Sequence, residues 1–334
     1  MWIRSRPVST PTAPFTVCGY CRSVDLSPLW HARDTRGHDW SWGRCRTCAA
    51  VSILPRPQSE DLAAAYAGTY YGENETKFTG PVEAFIDRCR RSRARRLAAE
   101  LTSGARVLDL GCGNGGFLAA LGQSGRFDLH GIELDGGSAR RAAKRPEIHL
   151  KIGTLEAGDF ADGSLDLVTL FHVFEHLTEP QATLDVIHRA LKPGGRLVMS
   201  FPNISSVQAR MFRGHWLHLD PPRHLFLLPA GAFERALGEF GFAVTARRYF
   251  SIEQNPFGFI QSCLNAMGLP RDLLYERLKG NVGYAPEHGS FSTLVQKAFA
   301  GLTLPLAITL DAVESALGSG ATVEYTLQKA AIPV

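Results

Sequence analysis

Val107-Leu-Asp-Leu-Gly-Cys-Gly-Asn-Gly-Gly116 is the stretch that decides the fold of this chain. An apolar run enters a glycine-rich turn, and a helix opens behind it. Glycines let the backbone approach a ligand that any Cβ would push away. Glu133 closes the next apolar run, about 20 residues past the turn, the spacing at which a carboxylate accepts from a ribose diol. The pattern predicts a nucleoside site on a doubly wound sheet.

Gly111, Gly113 and Gly116 also fit the dinucleotide spacing G-x-G-x-x-G, a weak signal by itself. Three features turn the reading away from a nicotinamide cofactor. Asp109 precedes the first glycine, where it would repel a pyrophosphate but attract an ammonium group. Leu191-Lys-Pro-Gly-Gly195 leads into the strand Arg196-Leu-Val-Met-Ser-Phe-Pro202. Leu165-Asp-Leu-Val-Thr-Leu-Phe171 runs into His172 and then Glu175-His176-Leu177.

Outward from the turn, strands are expected at 106–110, 128–133, 148–152, 165–171, 196–201, 242–249 and 322–329, the last antiparallel. Helices are expected at 115–121, 138–144, 180–191 and 228–240. Strands alternating with helices argue for a parallel sheet covered on both faces. Ligands of such sheets sit at the carboxyl ends of the strands, where Asp109, Glu133 and His172 all fall.

The glycine turn, Glu133, Asp166-Leu-Val168, Glu175-His176-Leu177 and Lys192-Pro-Gly-Gly195 occur in an order and spacing that resembles class I S-adenosylmethionine (SAM) dependent methyltransferases, most strongly over residues 104–202. The resemblance implies a Rossmann-like, seven-stranded α/β sheet and SAM as cofactor. It places Asp109 near the methionine amino group and Gly111, Gly113 and Gly115 under the methionine and ribose. It gives Glu133 the ribose hydroxyls and brings Thr154 and Leu155 to the adenine. Relatives often carry an Asp near Thr154, and this chain departs from them there. Phe171 and His172 would line the floor near the methyl group. Ubiquinone-pathway O-methyltransferases, thought to use a divalent metal, carry Glu-x-x-Glu-His where this chain has His172-x-x-Glu175-His176, which leaves a metal open. The inverted zinc-protease motif has the same letters but needs one helix carrying both histidines, and here the motif starts at a strand end.

Cys18-x-x-Cys21 and Cys45-x-x-Cys48 have the form of a zinc ribbon, each tight turn supplying two thiolates to a tetrahedron. The glycine usual after each pair is replaced by Arg22 and Ala49. Trp30, Trp40 and Trp42 lie between the pairs, either covering a small ribbon or forming a stacking surface. Ser59 reads as an N-cap with Leu62 to Tyr66 helical, and Tyr66, Tyr70 and Tyr71 follow closely. This front end resembles bacterial methyltransferases found among sugar and cell-surface glycan genes. A helix over 83–101 carries Arg88, Arg90, Arg91, Arg93, Arg95 and Arg96 opposite its apolar side. Those arginines form a solvated face or a contact for phosphate, acidic lipid or RNA.

The domain organisation expected is a zinc-ribbon module (1–56), a helical linker or cap (57–103), the SAM-binding core (104–250) with an acceptor loop (203–228), a helical insertion (251–321), and the last strand with a tail (322–334). The insertion is too long for a plain loop. Its 291–317 stretch is apolar at helical spacing with Pro305 as a kink, and packs as core or lid, as a dimer interface or as shallow membrane contact. Trp216-Leu-His-Leu-Asp220-Pro-Pro-Arg223-His224 follows the fifth core strand and fits a polar ring acceptor or a latch by Arg223–Asp220 pairing.

Length allows about two domains. With 36 basic and 32 acidic residues, the net charge of +4 demands no polyanionic partner. The first residues lack the apolar core of a secretory signal, no stretch reaches the ~18 uninterrupted apolar residues of a membrane span, and a cytoplasmic location is expected. The function expected is methyl transfer to oxygen or carbon of a small polar acceptor such as a sugar nucleotide, glycan intermediate or related metabolite. The acceptor base would be His172 or His224, then His176, because histidine titrates in a useful range. RNA methylation and a non-catalytic SAM-fold partner are the alternatives. Nucleic acid is disfavoured because Phe171-His-Val-Phe174 stands where base-amino methylation usually carries Asn/Asp-Pro-Pro-Tyr/Phe.

Overall fold

The computed structural model describes residues 16–66, 80–281, 284–285 and 288–330; Tyr70 and Tyr71 lie outside them. The elements run β1 (Leu26–Arg33), β2 (Asp39–Cys45), β3 (Val51–Leu54), α1 (Ser59–Tyr66), α2 (Pro81–Ala98), β4 (Arg106–Leu110), α3 (Gly116–Gly122), β5 (Asp128–Glu133), α4 (Gly137–Ala142), β6 (His149–Ile152), β7 (Leu165–Phe171), α5 (Pro180–Ala190), β8 (Leu191–Pro202), α6 (Val207–Phe212), β9 (Phe226–Leu227), α7 (Ala230–Glu239), β10 (Phe242–Arg248), α8 (Asn255–Ala266), α9 (Leu273–Leu278), α10 (Ser290–Ala316) and β11 (Thr322–Lys329).

Seven strands form the main sheet in the order β10-β11-β8-β7-β4-β5-β6. The five strands from β8 to β6 are parallel, and β11 runs antiparallel between β8 and β10. Strand order reverses beside β4, so the crevice beyond its carboxyl end is the expected ligand position. The central strands are buried on both faces, which explains their nearly continuous apolar sequence. One face packs Ala94 and Leu97 of α2 with Phe117 and Leu121 of α3. The other packs Leu184 of α5 with Phe174, Phe201, Phe233 and Tyr325.

The ribbon does not stand apart. Its strands continue into β9 of the 203–228 segment, with Val51 opposite Leu227 and Ser52 opposite Phe226. Trp42, Trp40 and Tyr20 share one apolar core with Phe174 and Phe226. A Cβ on Gly214 would meet the His31 carbonyl oxygen at 1.9 Å, so β1 presses on the 213–215 turn where only glycine fits. The tryptophans therefore cover the ribbon rather than form a stacking surface: Trp42 is 1 % exposed, and Trp40 donates from Nε1 to Asp34.

Two local expectations change. Ser59 is the first helical residue and not the cap; Asp61 instead reaches back to accept from the Gln58 N–H at 2.9 Å. The arginines of α2 are only partly a solvated face. Arg93 pairs with Glu253 and Glu324, Arg96 with Glu324, and Arg90 with Glu83 and Asp87. The insertion is helical, and α10 continues through Pro305.

Candidate active site

A cavity of about 1570 Å³ opens above the carboxyl ends of β4, β5 and β7. Gly111, Gly113 and Gly115 all adopt left-handed backbone, with φ of 72°, 59° and 73°. Gly113 faces open space, whereas a Cβ at Gly111 would strike Val173 at 2.4 Å. The turn thus presents bare backbone to the cavity. Glu133, at the end of β5, reaches across: its Oε2 accepts from the Gly113 N–H at 2.6 Å and its Oε1 from Leu134 N–H at 3.2 Å. Burial pushes its carboxyl up, against the pull of these two amides. Thr154, exposed, and Leu155, half-buried, sit on the same wall.

Asp109 lies beneath the turn, 3 % exposed, and its Oδ1 accepts from the Thr169 hydroxyl at 2.6 Å. Burial, helped by the nearby Glu133 carboxylate, overrides that hydrogen bond and pushes it up to about 7.

The opposite wall comes from the end of β7. His172 takes φ 55°, a left-handed conformation uncommon outside glycine, and its N–H donates to the Ser200 carbonyl. Phe171 packs edge-on against Phe117 at 5.0 Å, with the Arg93 guanidinium 4.7 Å over its ring. One short turn later come Glu175 and His176. Glu175 is 1 % exposed, and neither oxygen has a hydrogen-bond partner among the described residues. Its Oε1 lies 3.6 Å from His172 Nδ1 and 3.9 Å from His224 Nε2. Burial alone would raise this carboxyl, but His172, His224 and His176 together outweigh it and hold it at about 2.

His224 comes from the 203–228 segment, where Asp220 and Arg223 form a two-pronged ion pair. Burial opposes ionisation of Asp220, yet the Arg223 guanidinium keeps its carboxyl well below the usual range. His224 Nδ1 contacts the His218 carbonyl at 2.8 Å, leaving Nε2 on the Glu175 side. His176 Nδ1 contacts the Arg223 carbonyl at 2.9 Å and the Tyr66 hydroxyl at 3.1 Å. Burial and the His224 ring bring it down to about 4, so it is neutral near pH 7.

The fold therefore brings His172, His176 and His224 together around one buried carboxylate, with Glu133 and the glycine turn across the same cavity. Glu175, His176 and His224 offer ligand atoms within 4.8 Å of one another. Sequence reasoning passed over His218 and Tyr275, which also line the cavity. His218 sits inside the quoted acceptor stretch, while no pattern marks Tyr275.

At the far end of the ribbon, the four thiols of Cys18, Cys21, Cys45 and Cys48 also lie within 4.8 Å of one another. Arg22 and Ala49, in the places of the missing glycines, both take φ 64°. Their N–H groups donate to the carbonyls of Cys18 and Cys45 at 3.1 and 3.0 Å, so two like turns aim four sulfurs at one point.

Residues 83–247 match the family described as "Methyltransferase domain". An uncharacterized methyltransferase of Mycolicibacterium gilvum is 35% identical over 121 residues, 34% of this chain and 44% of that protein. The ubiquinone biosynthesis O-methyltransferase of Pseudomonas aeruginosa is 31% identical over 115 residues, 30% of this chain and 46% of that protein. The chain thus spans less than half the length of these curated relatives. Among solved structures, an S-adenosylmethionine dependent methyltransferase from Mesorhizobium loti superposes with a TM-score of 0.45 at 19% identity, covering 73% of this chain and 99% of that one.

Proposed function

We propose that the chain, whose residues 83–247 match the methyltransferase domain family, is a class I SAM-dependent methyltransferase that methylates an oxygen or carbon of a small polar acceptor, of the kind represented by a sugar nucleotide or glycan intermediate. The observation that carries this reading is the single cavity joining the glycine turn and Glu133 to the histidines around Glu175.

SAM supplies an electrophilic methyl group on a sulfonium. Gly111, Gly113 and Gly115 would support it, Glu133 would accept from its ribose, and Asp109 would balance its ammonium charge. Thr154 and Leu155 flank the adenine place. The chain's main task is then to hold the acceptor in line, a matter of proximity and orientation. His172 is the acceptor base in this reading: it lines the cavity with 27 % of its side chain exposed, and Glu175 behind it stabilises a positive ring once a proton is taken. His224 and His176 hold Glu175 and the acceptor segment in place; His176 already uses Nδ1 on a carbonyl.

The four thiols suit a structural zinc ion, because their separation and paired turns match a closed tetrahedral sulfur set. A cytoplasmic location accompanies this proposal. Against RNA as acceptor stand the internal ion pairs of Arg93 and Arg96, which remove two of the six α2 arginines from phosphate contact.

The test is incubation with methyl-labelled SAM and a fractionated host extract, beside His172→Ala. Label in a small-molecule or glycan fraction, reduced about 100-fold or more in the variant with SAM affinity kept, is expected. Label in RNA, or none despite SAM binding, would overturn the acceptor reading; unchanged turnover of His172→Ala would overturn the base.

A further inference from the structure

Helix α10 is built inside out. Its 27 residues include three charged side chains, and two of them, Asp311 and Glu314, face the domain and are buried, as is Gln296. Asp311 accepts from Asn255 Nδ2 at 2.6 Å, and Gln208 donates to Glu314 at 3.4 Å. The side turned to solvent carries Phe291, Leu294, Val295, Leu302, Leu306 and Val313, with Leu302 83 % exposed. Lys297 is its one charged group. The apolar stripe of an ordinary surface helix faces the core and the polar face meets water; here the two are exchanged. By length and composition the helix is apolar enough to cross a membrane, while only 11% of its most apolar stretch is buried. Core packing thus accounts for only a narrow strip of α10, centred on Ala307 and Phe299 against Ile260, Leu264 and Leu274. Contiguous exposed apolar surface of this extent marks a partner or a membrane.

A second observation points to which. Leu304 and Ile308 of the same helix line the active-site cavity, beside Phe257 and Leu278 of the insertion and Phe85 of α2. Phe85 is itself 44 % exposed. The apolar outer face of α10 is therefore continuous with an apolar wall that descends to the histidines.

We propose that α10 lies flat in the surface of a lipid bilayer, and that the polar acceptor proposed above is the head of an amphiphile, as in a lipid-linked glycan intermediate rather than a soluble sugar nucleotide, whose apolar chain passes from the bilayer along Leu304 and Ile308 while its polar end reaches His172. The helix packs along α8 and α9, which holds it parallel to the domain surface and suits an interfacial position rather than a crossing one. A second copy of the chain would also cover the outward face, but would leave the apolar cavity wall with no continuation. The cationic Lys297 and the net charge of +4 favour an anionic bilayer. The acceptor half rests on the methyltransferase reading above; the docking half does not.

The full chain is floated with vesicles of equal parts phosphatidylcholine and phosphatidylglycerol, beside the outward-facing variants Leu302→Asp and Leu306→Asp. The wild type is expected to float with the vesicles, and each variant to partition at least about tenfold less, since a charge replaces buried apolar surface. Calorimetric SAM binding, unchanged in both variants, confirms that they fold. A wild type left at the bottom of the gradient, variants that float equally well, or a dimer dissolved by the same variants would overturn docking. Host membranes are then incubated with protein and methyl-labelled SAM: label in the lipid extract supports the amphiphile, and label confined to the aqueous phase overturns it. Absence of SAM binding by the wild type would sink the methyltransferase reading and leave the flotation result standing.

Discussion

Lowering the pH from about 8 to about 6 should weaken SAM binding about tenfold through Asp109 alone. This carboxyl is buried beneath the glycine turn, and desolvation is the main force that pushes it up to about 7. An ammonium group nearby is stabilised only by the ionised form. The binding-competent share of chains therefore follows the ionised fraction, about nine-tenths at one pH unit above the midpoint and about one-tenth at one unit below it. Uptake of SAM near pH 6 should release about one proton, seen by calorimetry in buffers of different ionisation enthalpy. The sign for stability runs the other way. The folded chain holds this proton more tightly than the unfolded chain, so the stabilising contribution is present below the ordinary aspartate value and is lost as pH rises toward 7. Ligand-free stability should thus fall, and SAM affinity rise, over the same window. Asp109→Asn should bind weakly with the Asp109 slope removed. A wild-type affinity flat from pH 6 to 8, or a slope that survives in Asp109→Asn, would refute the reasoning.

Glu133→Ala removes the proposed acceptor for the ribose diol and should weaken SAM binding by about 2 kcal/mol in calorimetry, the scale of hydrogen bonds to a charged group; an affinity within twofold of wild type would assign Glu133 to the Gly113 amide alone. Arg93→Met leaves Glu253 without its cation in a mostly buried place, while Glu324 keeps Arg96. It should cost about 3 kcal/mol in urea unfolding, with part recovered by Glu253→Gln. Metal analysis should find about one zinc per chain, and Cys45→Ser or a strong chelator should lower the thermal midpoint by at least about 5 °C; a midpoint indifferent to both would remove zinc from the ribbon.

The core of the fold was legible because its signals are local. Alternation of apolar strands with helices, the glycine turn and the acid at the end of β5 each depend on neighbours within about 20 residues. The last strand was legible to the residue, Thr322–Lys329. The cysteine pairs are legible as pairs, with Arg22 and Ala49 standing where glycine is usual. Their left-handed backbone shows why glycine is usual there. What sequence could not supply is long-range pairing. The arginines of α2 read as a basic face because Glu253 and Glu324 lie more than 150 residues away. The apolar spacing of α10 was plain, but periodicity does not say which stripe faces inward. Here buried Asp311 and Glu314 reverse the ordinary assignment.

The convergence of His224 on Glu175 was hidden for the same reason, and the structure gives it a mechanical cause. A metal at the thiols would fix the turns at Cys18 and Cys45. Gly19, inside the first turn, donates to Ser52 Oγ and leaves no room for a Cβ against the Leu225 carbonyl, 2.8 Å away. Ser52 lies on β3 and faces Phe226 on β9. Leu225 in turn donates its N–H to the Glu175 carbonyl at 2.8 Å. Two hydrogen bonds, the close approach at Gly19 and the β3–β9 pairing thus link the sulfur cluster to the residue beside His224 and to the backbone of the buried carboxylate. Side chains held on paired strands move less than those on free loops, so the ribbon is the buttress of the His224 side of the cavity. On this argument Cys45→Ser should disturb turnover more than SAM affinity, because the glycine turn and Glu133 rest on β4 and β5, which the ribbon does not pair with.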